Sequence, residues 1–400
     1  MKIKQAPLSK FVVINPEVIT QGYPYQTIEY IDISSVGSGQ LVEQPEEILL
    51  KDAPSRAKRI VRNKDIILAT VRPNLRSFLF IKNPNNNTIV STGFAVLRAK
   101  ETANSRFIYY CIIDDKFTGY LTNNTKGTSY PAVDSDIVLR GEIPDFDLKK
   151  QQYISDILST YDDLIDTNRR RIQLLEESAR LLFREWFVYF RFPGHEIETQ
   201  NLASVRLVDG VPEGWNKEKI NKLVAFKRGV EPGSDNYLET YESGSFPFFR
   251  VSDLITRSPS IFVDEQYAKS ALLKKSDIVV SLDGSVGIVS MGLEGCYSTG
   301  IRKLVIKDKK INRAYLYFLM KSHYVQGVIN AYAKGTTIQH AGEAIKHMNP
   351  TLPPQNLMDL FDEIVSPALN EILILLEQNQ KLAQARDLLL PRLMSGAIEV

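Results

Sequence analysis

From residue 154 to residue 186 the apolar positions follow one unbroken rhythm. Ile154, Leu158, Tyr161, Ile165, Asn168, Ile172, Leu175, Ala179, Leu182 and Trp186 are separated alternately by four and three residues, and Asn168 alone among them is polar. That average step of 3.5 residues is the seam of a coiled coil, narrower than the stripe of an ordinary surface helix. A second seam follows near the end of the chain, through Phe361, Val365, Ala368, Ile372, Leu375, Asn379, Leu382, Arg386, Leu389 and Leu393. It is poorer, because Arg386 sits on it and Pro367 falls inside it. A proline is tolerated at a helix start and is expected to kink the helix elsewhere. Each seam carries one asparagine, Asn168 at a d position and Asn379 at an a position. In an antiparallel pair, a and d positions share layers, so the two amides are placed to hydrogen-bond and to set direction and register.

The segments ahead of the two helices read differently. Short Val/Ile/Phe/Tyr runs, at 65–71, 77–81 and 94–97 and again at 278–282 and 304–306, are cut by Gly, Pro and Asn. These are strand signals. Short helices are expected at 107–115 and 314–322.

The two halves also carry matching markers in one order. Lys64-Asp-Ile-Ile returns as Ser276-Asp-Ile-Val, Ser91-Thr-Gly as Ser298-Thr-Gly, and Arg106–Tyr110 as Arg313–Tyr317. Lys126-Gly-Thr returns as Lys334-Gly-Thr and Ile143-Pro-Asp as Leu352-Pro-Pro, with offsets between 207 and 212 throughout. The fold class expected is therefore α+β: two mixed α/β domains, an internal repeat, separated by two long helices that form an antiparallel coiled coil. The boundaries expected are a first globular domain at 1–147, a helix at 148–190, a linker and second domain at 191–350, and a second helix at 351–400. A pair of helices of about 35–40 residues spans about 50–60 Å, roughly one to one and a half turns of B-DNA.

Composition adds little until it is localised. The 400 residues are 44% hydrophobic and 24% charged, as in ordinary globular protein, and the net charge of +2 averages over uneven regions. Between Lys51 and Lys82 stand nine Lys/Arg against only Asp52 and Asp65, a footprint for a polyanion or a solvated basic face. Cys111 and Cys296 match no metal-ligand spacing, which points to buried thiols in a reducing compartment, with a single bridge left open. Neither a signal peptide nor a run of about 18 apolar residues occurs, so a cytoplasmic protein is expected.

Catalytic motifs are missing. An adenine methyltransferase needs an Asn/Asp/Ser-Pro-Pro-aromatic motif and a Gly-rich cofactor loop, yet the single Pro-Pro, Pro353-Pro354, is followed by Gln355. No phosphate loop is present, and His195, His323, His340 and His347 form no zinc pattern. Asp283-Gly-Ser-Val-Gly reads as a tight β-turn, with no histidine assigned to it. A non-catalytic binder is expected, with no metal site.

Several runs resemble one family. They are Asn168-Arg-Arg-Arg-Ile-Gln-Leu-Leu-Glu-Glu-Ser-Ala-Arg-Leu-Leu-Phe-Arg-Glu-Trp-Phe-Val with Phe190-Arg-Phe-Pro-Gly-His-Glu, then Val211-Pro-Glu-Gly-Trp and the ending Arg386-Asp-Leu-Leu-Leu-Pro-Arg-Leu-Met-Ser-Gly-Ala-Ile. Pro54-Ser-Arg-Ala-Lys-Arg-Ile-Val and Thr70-Val-Arg-Pro-Asn-Leu-Arg belong with them. With these the chain resembles the specificity subunits of type I restriction–modification systems over essentially its whole length. The resemblance implies two target-recognition domains, each reading half of a bipartite DNA target. It also implies two modification subunits as partners, which bind S-adenosylmethionine and methylate adenine, and restriction subunits using ATP and magnesium as further candidates. No cofactor is expected in this chain itself. The DNA-recognition subunit of a type IIB-like bipartite restriction enzyme shares this repeat plan. A coiled-coil scaffold with no DNA role, and an independent methyltransferase, are the readings from other classes.

Within this picture, phosphate contacts supply affinity and base-edge contacts supply specificity. In the first domain Arg56, Lys58, Arg59 and Arg62 are candidates for the DNA backbone, with Arg72, Asn74 and Arg76. The repeated Lys-Gly-Thr loops nominate Lys126, Thr128, Ser129 and Tyr130, and in the second half Lys334, Thr336, Thr337, Gln339 and His340. Glycine there permits close backbone approach, and Gln339 has the groups to read adenine. Arg250, Ser252, Asp253, Ser285 and Arg302 complete the second domain. The block Leu182, Phe183, Trp186, Phe187 and Tyr189 is expected to pack where coil meets globule, or else to dock a partner subunit.

Overall fold

Strand-forming runs too short for one large sheet build four four-stranded sheets, two in each of two compact units, beside several two-stranded pairs. The structure, a computed structural model, describes residues 3–127, 131–194, 207–208, 210–259, 261–335 and 339–398. Unit 1 comprises Met1–Ile165 with Lys381–Val400, and unit 2 comprises Asp166–Gln380.

In unit 1 the strands are β1 (Val12–Ile14), β2 (Thr27–Ile31), β3 (Glu46–Leu49), β4 (Ala57–Ile60), β5 (Ile66–Ala69), β6 (Phe78–Phe80), β7 (Thr88–Ser91) and β8 (Phe94–Ala99). They form an antiparallel sheet in the order β1-β8-β5-β6 and a second sheet β3-β2-β7-β4 in which β2 and β7 run parallel. Two short helices follow, α1 (Ser105–Ile113) and α2 (Asp115–Asn123), then α3 (Ser135–Arg140) and the long α4 (Leu148–Phe187).

Unit 2 repeats the plan. Its strands are β9 (Val224–Arg228), β10 (Ser245–Phe249), β11 (Ile261–Asp264), β12 (Leu272–Leu273), β13 (Ile278–Ser281), β14 (Val289–Ser290), β15 (Gly295–Tyr297) and β16 (Ile301–Ile306). The sheet orders are β9-β16-β13-β14 and β11-β10-β15-β12, with β10 and β15 the parallel pair. Helices α5 (Arg313–Lys321) and α6 (His323–Ala331) follow, and the long α7 (Gln355–Met394) comes last. Strand order and the position of the parallel pair are the same in both units.

The repeated markers occupy the same structural posts. Asp65 accepts from the Arg62 amide and Asp277 from the Lys274 amide, each at 2.8 Å, pinning the turn into β5 or β13. Gly93 and Gly300 close the Ser-Thr-Gly motifs where no side chain fits: a Cβ on Gly93 would lie 2.1 Å from Ile33 Cδ1, and one on Gly300 would lie 2.8 Å from Val251 Cγ2. Asn104 and Asn312 cap α1 and α5 by accepting from the Phe107 and Tyr315 amides at 2.9 Å.

The second short helix of each half was not expected. Asp114 and Ser322 cap α2 and α6, but these helices bury only two residues each, so their apolar period is faint. Strand ends moved by a residue or more: the run at 65–71 is a strand over Ile66–Ala69, and that at 304–306 extends back to Ile301.

The unit boundary falls inside both long helices, so each unit holds a segment of each. In unit 1, Ile154 and Leu158 of α4 share a core with Leu390 and Leu393 of α7, and Arg386 forms an ion pair with Asp162. In unit 2 the Asn168 amide donates to the Asn379 side-chain oxygen at 3.0 Å, and Arg171 pairs with Glu371 at 2.8 Å. Rising numbers on α4 meet falling numbers on α7, as an antiparallel pair requires. Burial follows the first seam closely. On α7, Leu369 is fully buried and Ala368 only half-buried, because this stretch also packs on Tyr315, Phe318 and Phe183 and needs a wider apolar face. Pro367 was expected to kink an interior helix position. It lies exposed inside α7, which runs from Gln355 to Met394 without a break, with buried Val365, Leu369 and Ile372 on either side of it in sequence.

The aromatic block divides. Phe183, Trp186 and Phe187 are buried in the unit 2 core against Phe361, Tyr315 and Trp215, Leu182 is half-buried against it, and Tyr189 is exposed. Cys111 and Cys296 are both buried and free, and burial pushes both thiols up from their usual range. Among the described residues no helix is long and apolar enough to cross a membrane.

Candidate nucleic-acid interface

Each Lys-Gly-Thr loop is pinched at its base by the same backbone bridge. Lys126 and Ala132 exchange hydrogen bonds of 2.8 and 3.0 Å, and Lys334 and His340 exchange 3.1 and 2.8 Å. Gly127 (φ 89°) and Gly335 (φ 110°) take the left-handed conformation that starts the loop, which explains why glycine recurs there. Thr128, Ser129, Tyr130, Thr336 and Thr337 lie outside the described residues.

Both loops dock on the turn that leaves the central strand. In unit 1, Arg72 N donates to Pro131 O at 2.7 Å and Val133 N to Thr70 O at 2.9 Å, joining the loop to the run Thr70-Val-Arg-Pro-Asn-Leu-Arg after β5. In unit 2, Asp283–Gly284 pairs antiparallel with Gln339–His340, and Ala341 N donates to Leu282 O at 2.7 Å. Two groups of candidates that are far apart in sequence therefore form one surface in each unit. One gathers Arg72, Asn74, Arg76 and Lys126; the other gathers Ser285, Lys334, Gln339 and His340.

The unit 1 turn is held in an unusual backbone. Arg72 (φ 50°) and Arg76 (φ 56°) are both left-handed, flanking Pro73-Asn-Leu. Non-glycine residues in that region are costly and gather at functional sites. Arg76 is anchored by Asp115 and the Ile113 carbonyl, whereas Arg72, Asn74 and Lys126 are exposed, with Lys126 3.1 Å from Asp134.

The basic run around β4 is more tied down than its composition suggests. Arg56 reaches Asp32 at 2.7 Å and the Tyr30 hydroxyl at 3.2 Å, next to Ile33, which packs on Gly93 at this same end of the sheet. Arg59 is half-buried and bonded to the Phe94 carbonyl, and burial lowers its pKa from the ordinary arginine range. Arg62 forks onto Glu17 at 2.7 and 3.1 Å beyond the other end of β4, in a network with Arg98 and the buried Asp65. Lys58 alone of the four is exposed with no ion pair among the described residues.

Unit 2 shows the same division between tool and support. Asp253 is buried and accepts from the Arg250 amide at 2.8 Å, and Arg302 is half-buried beside Asp283, which takes its guanidinium at 3.0 Å. Both side chains are engaged in bonds within unit 2. Ser252 is exposed and Arg250 half-buried, on either side of Val251, which packs on Gly300. The sequence offered no histidine for the Asp283 turn. The structure supplies His340, whose Nδ1 lies 2.8 Å from Asp283 Oδ1, a pairing hidden by a separation of 57 positions in sequence.

The model of the type I restriction modification DNA specificity domain matches residues 14–177 and again 212–372, well over half of the chain. The chain belongs to that family. Its role is that of a non-catalytic DNA specificity subunit. Among its relatives are the type I restriction enzyme HindI specificity subunit of Haemophilus influenzae, 24% identical over 87% of this chain and 90% of that protein, and the MjaIX specificity subunit of Methanocaldococcus jannaschii, 26% identical over 84% of this chain and 78% of that protein. The type I restriction–modification S subunit from M. genitalium shares the fold, with a TM-score of 0.50 and 14% identity over 98% of this chain and 96% of that chain. Both halves of the family match fall on the repeat, so the specificity subunit carries two recognition domains in one chain.

Proposed function

We propose that this specificity subunit reads a bipartite DNA target, with domain 1–147 contacting one half-site and domain 191–350 the other, and with the helices 148–190 and 351–400 as spacers. The observation that carries this reading is the double occurrence of a Lys-Gly-Thr loop docked on a polar turn. Such a surface joins backbone amides, a lysine and base-reading side chains. The contacts proposed are Lys58, Arg72, Asn74 and Lys126 in the first domain and Ser252, Ser285, Lys334, Gln339 and His340 in the second. Arg56, Arg62, Arg76 and Arg250 stand beside them, and Arg59, Asp253 and Arg302 act from below by fixing the scaffold.

The partners proposed are two modification subunits, one for each long helix. Beside their buried seams the helices expose apolar residues at positions that match between the repeats: Tyr153 and Leu360, then Leu181 and Leu388, are each 37% or more exposed. Leu174 and Ile374 extend the stripes at heptad spacing. Bare apolar stripes of this kind mark protein contacts. The S-adenosylmethionine, ATP and magnesium chemistry belongs to those partners.

The test is duplex binding by the chain assembled with its modification partner, titrated with salt. A reader binds one split sequence well above random duplex, with affinity falling steeply as salt rises. Equal, weak binding to all duplexes contradicts the proposal.

A further inference from the structure

Where the two units share a backbone bridge, they differ in chemistry. In unit 1 the bridge between turn and loop joins Val71 to Ala132, two side chains with nothing to offer a base beyond apolar contact. In unit 2 the equivalent bridge joins Asp283 to His340. Three side chains are stacked there from inside to outside. Arg302 is 11% exposed and donates to Asp283 Oδ2 at 3.0 Å, and it is itself held by the carbonyls of Thr299 and Ile301. Asp283 is 17% exposed and presents Oδ1 to His340 Nδ1 at 2.8 Å, while His340 is 65% exposed.

This order fixes what the imidazole offers. A carboxylate accepts, so Nδ1 carries the proton in the neutral ring and Nε2 is left as an acceptor. Arg302 holds the other carboxylate oxygen, so Asp283 cannot swing away without breaking a second bond. Among the described residues nothing is bonded to Nε2. A fixed acceptor does not suit a phosphate oxygen, which also accepts. It suits the exocyclic amino group of adenine (N6) or cytosine (N4), the donors displayed in the major groove.

We infer that His340, oriented by Asp283 and Arg302, is a specificity-determining residue that accepts from the amino group of one adenine or cytosine in the half-site read by unit 2. The inference rests on the proposed reading of DNA by this surface. His340 is the reading group; Asp283 and Arg302 are positioning residues. Unit 1, with Val71 and Ala132 at the same posts, makes no such contact.

The experiment uses the chain in complex with its modification partner, on duplexes carrying the motif read from the methylated DNA of the host. Each adenine of the motif is replaced in turn by purine, and each cytosine by 2-pyrimidinone, removing one amino group at a time. The wild-type complex is expected to lose about tenfold or more in affinity at one such position confined to one half-site, apart from the methylated adenine. His340→Ala should bind natural and substituted duplexes there equally well, and Asp283→Ala should shrink the same ratio. Because the readout is a ratio, a general loss of affinity does not mimic the result. Retention of full discrimination by His340→Ala overturns the inference and leaves the DNA-reading proposal standing. Absence of any sequence preference in the wild-type complex overturns both.

Discussion

The side-chain amide of Asn168 donates to the side-chain oxygen of Asn379 at 3.0 Å, across the two long helices and inside a mostly apolar seam. Asn168 is 2% exposed, and the neighbouring layers are built by Ile165, Ile172 and Leu375. A polar pair there is worth little in net stability, since apolar replacements would bury as well. What it supplies is selectivity, because a slipped register leaves both amides unpaired.

Removing one partner should therefore hurt more than removing both. Asn379→Ala leaves the buried Asn168 amide without its partner and is expected to destabilise by about 1–3 kcal/mol, and Asn168→Ala, which orphans the half-buried Asn379, by less. The double replacement by leucine should restore or exceed wild-type stability while loosening the register. Urea denaturation of wild type, the two single alanine variants and the double alanine variant forms the double-mutant cycle that checks the coupling, with the double leucine variant measured beside it. A coupling near zero would mean that the pair does not interact in solution.

A second polar group ties α4 to the unit 2 globule and gives stability an acid limit. Glu176 accepts from the Tyr317 hydroxyl at 2.6 Å and from Lys321. Burial alone would raise its pKa, but the Lys321 charge and the hydrogen bonds from Lys321 and Tyr317 outweigh it, and the net shift is downward. For a carboxylate lowered in the folded state, the stabilisation is present above its unfolded value, near 4.5, and is lost as pH falls through the folded value. Glu176→Gln should flatten this part of the stability curve between about pH 5 and pH 3 while lowering stability at neutral pH. Thermal melts across that range decide it, and an unchanged curve would assign the acid loss to other carboxylates.

Glycine substitutions separate tight posts from free ones. Gly93→Ala drives a Cβ into Ile33 Cδ1 and is expected to cost about 1–3 kcal/mol, whereas Gly119 within α2 has nothing within 4 Å of its added Cβ. Gly119→Ala should stabilise by roughly 0.5–1 kcal/mol through helix propensity. Opposite shifts in melting temperature check the pair.

Much of the architecture was legible because it is written in periodicity. The 4,3 spacing located both long helices and the polar layer, and the repeat offsets anticipated two units of one topology. The site was legible only in pieces. Thr70–Arg76 and the Lys126 loop meet at one backbone bridge, and Asp283 and His340 in a two-residue ladder, and no local pattern announces either. Charge counts alone do not show which cations are already paired: Arg59 is bonded to the Phe94 carbonyl, Arg62 to Glu17 and Arg302 to Asp283. Leu369 displaced Ala368 because α7 answers to a globule as well as to a partner helix.

Exposed loop lysines should act through phosphates. Lys126→Ala and Lys334→Ala in the assembled complex are each expected to weaken binding to specific and random duplex alike. Each should reduce the slope of log affinity against log salt by about 0.9. Anisotropy titrations at several salt concentrations measure both quantities. A change in sequence preference with an unaltered slope would instead make them base contacts.

The most direct test of the central claim compares methylomes of a host carrying this gene and its modification gene with one in which this gene alone is deleted. A reader predicts one split, adenine-methylated motif that disappears with the deletion, its two parts being the two half-sites. Persistence of that motif while the modification subunit remains active would contradict the claim.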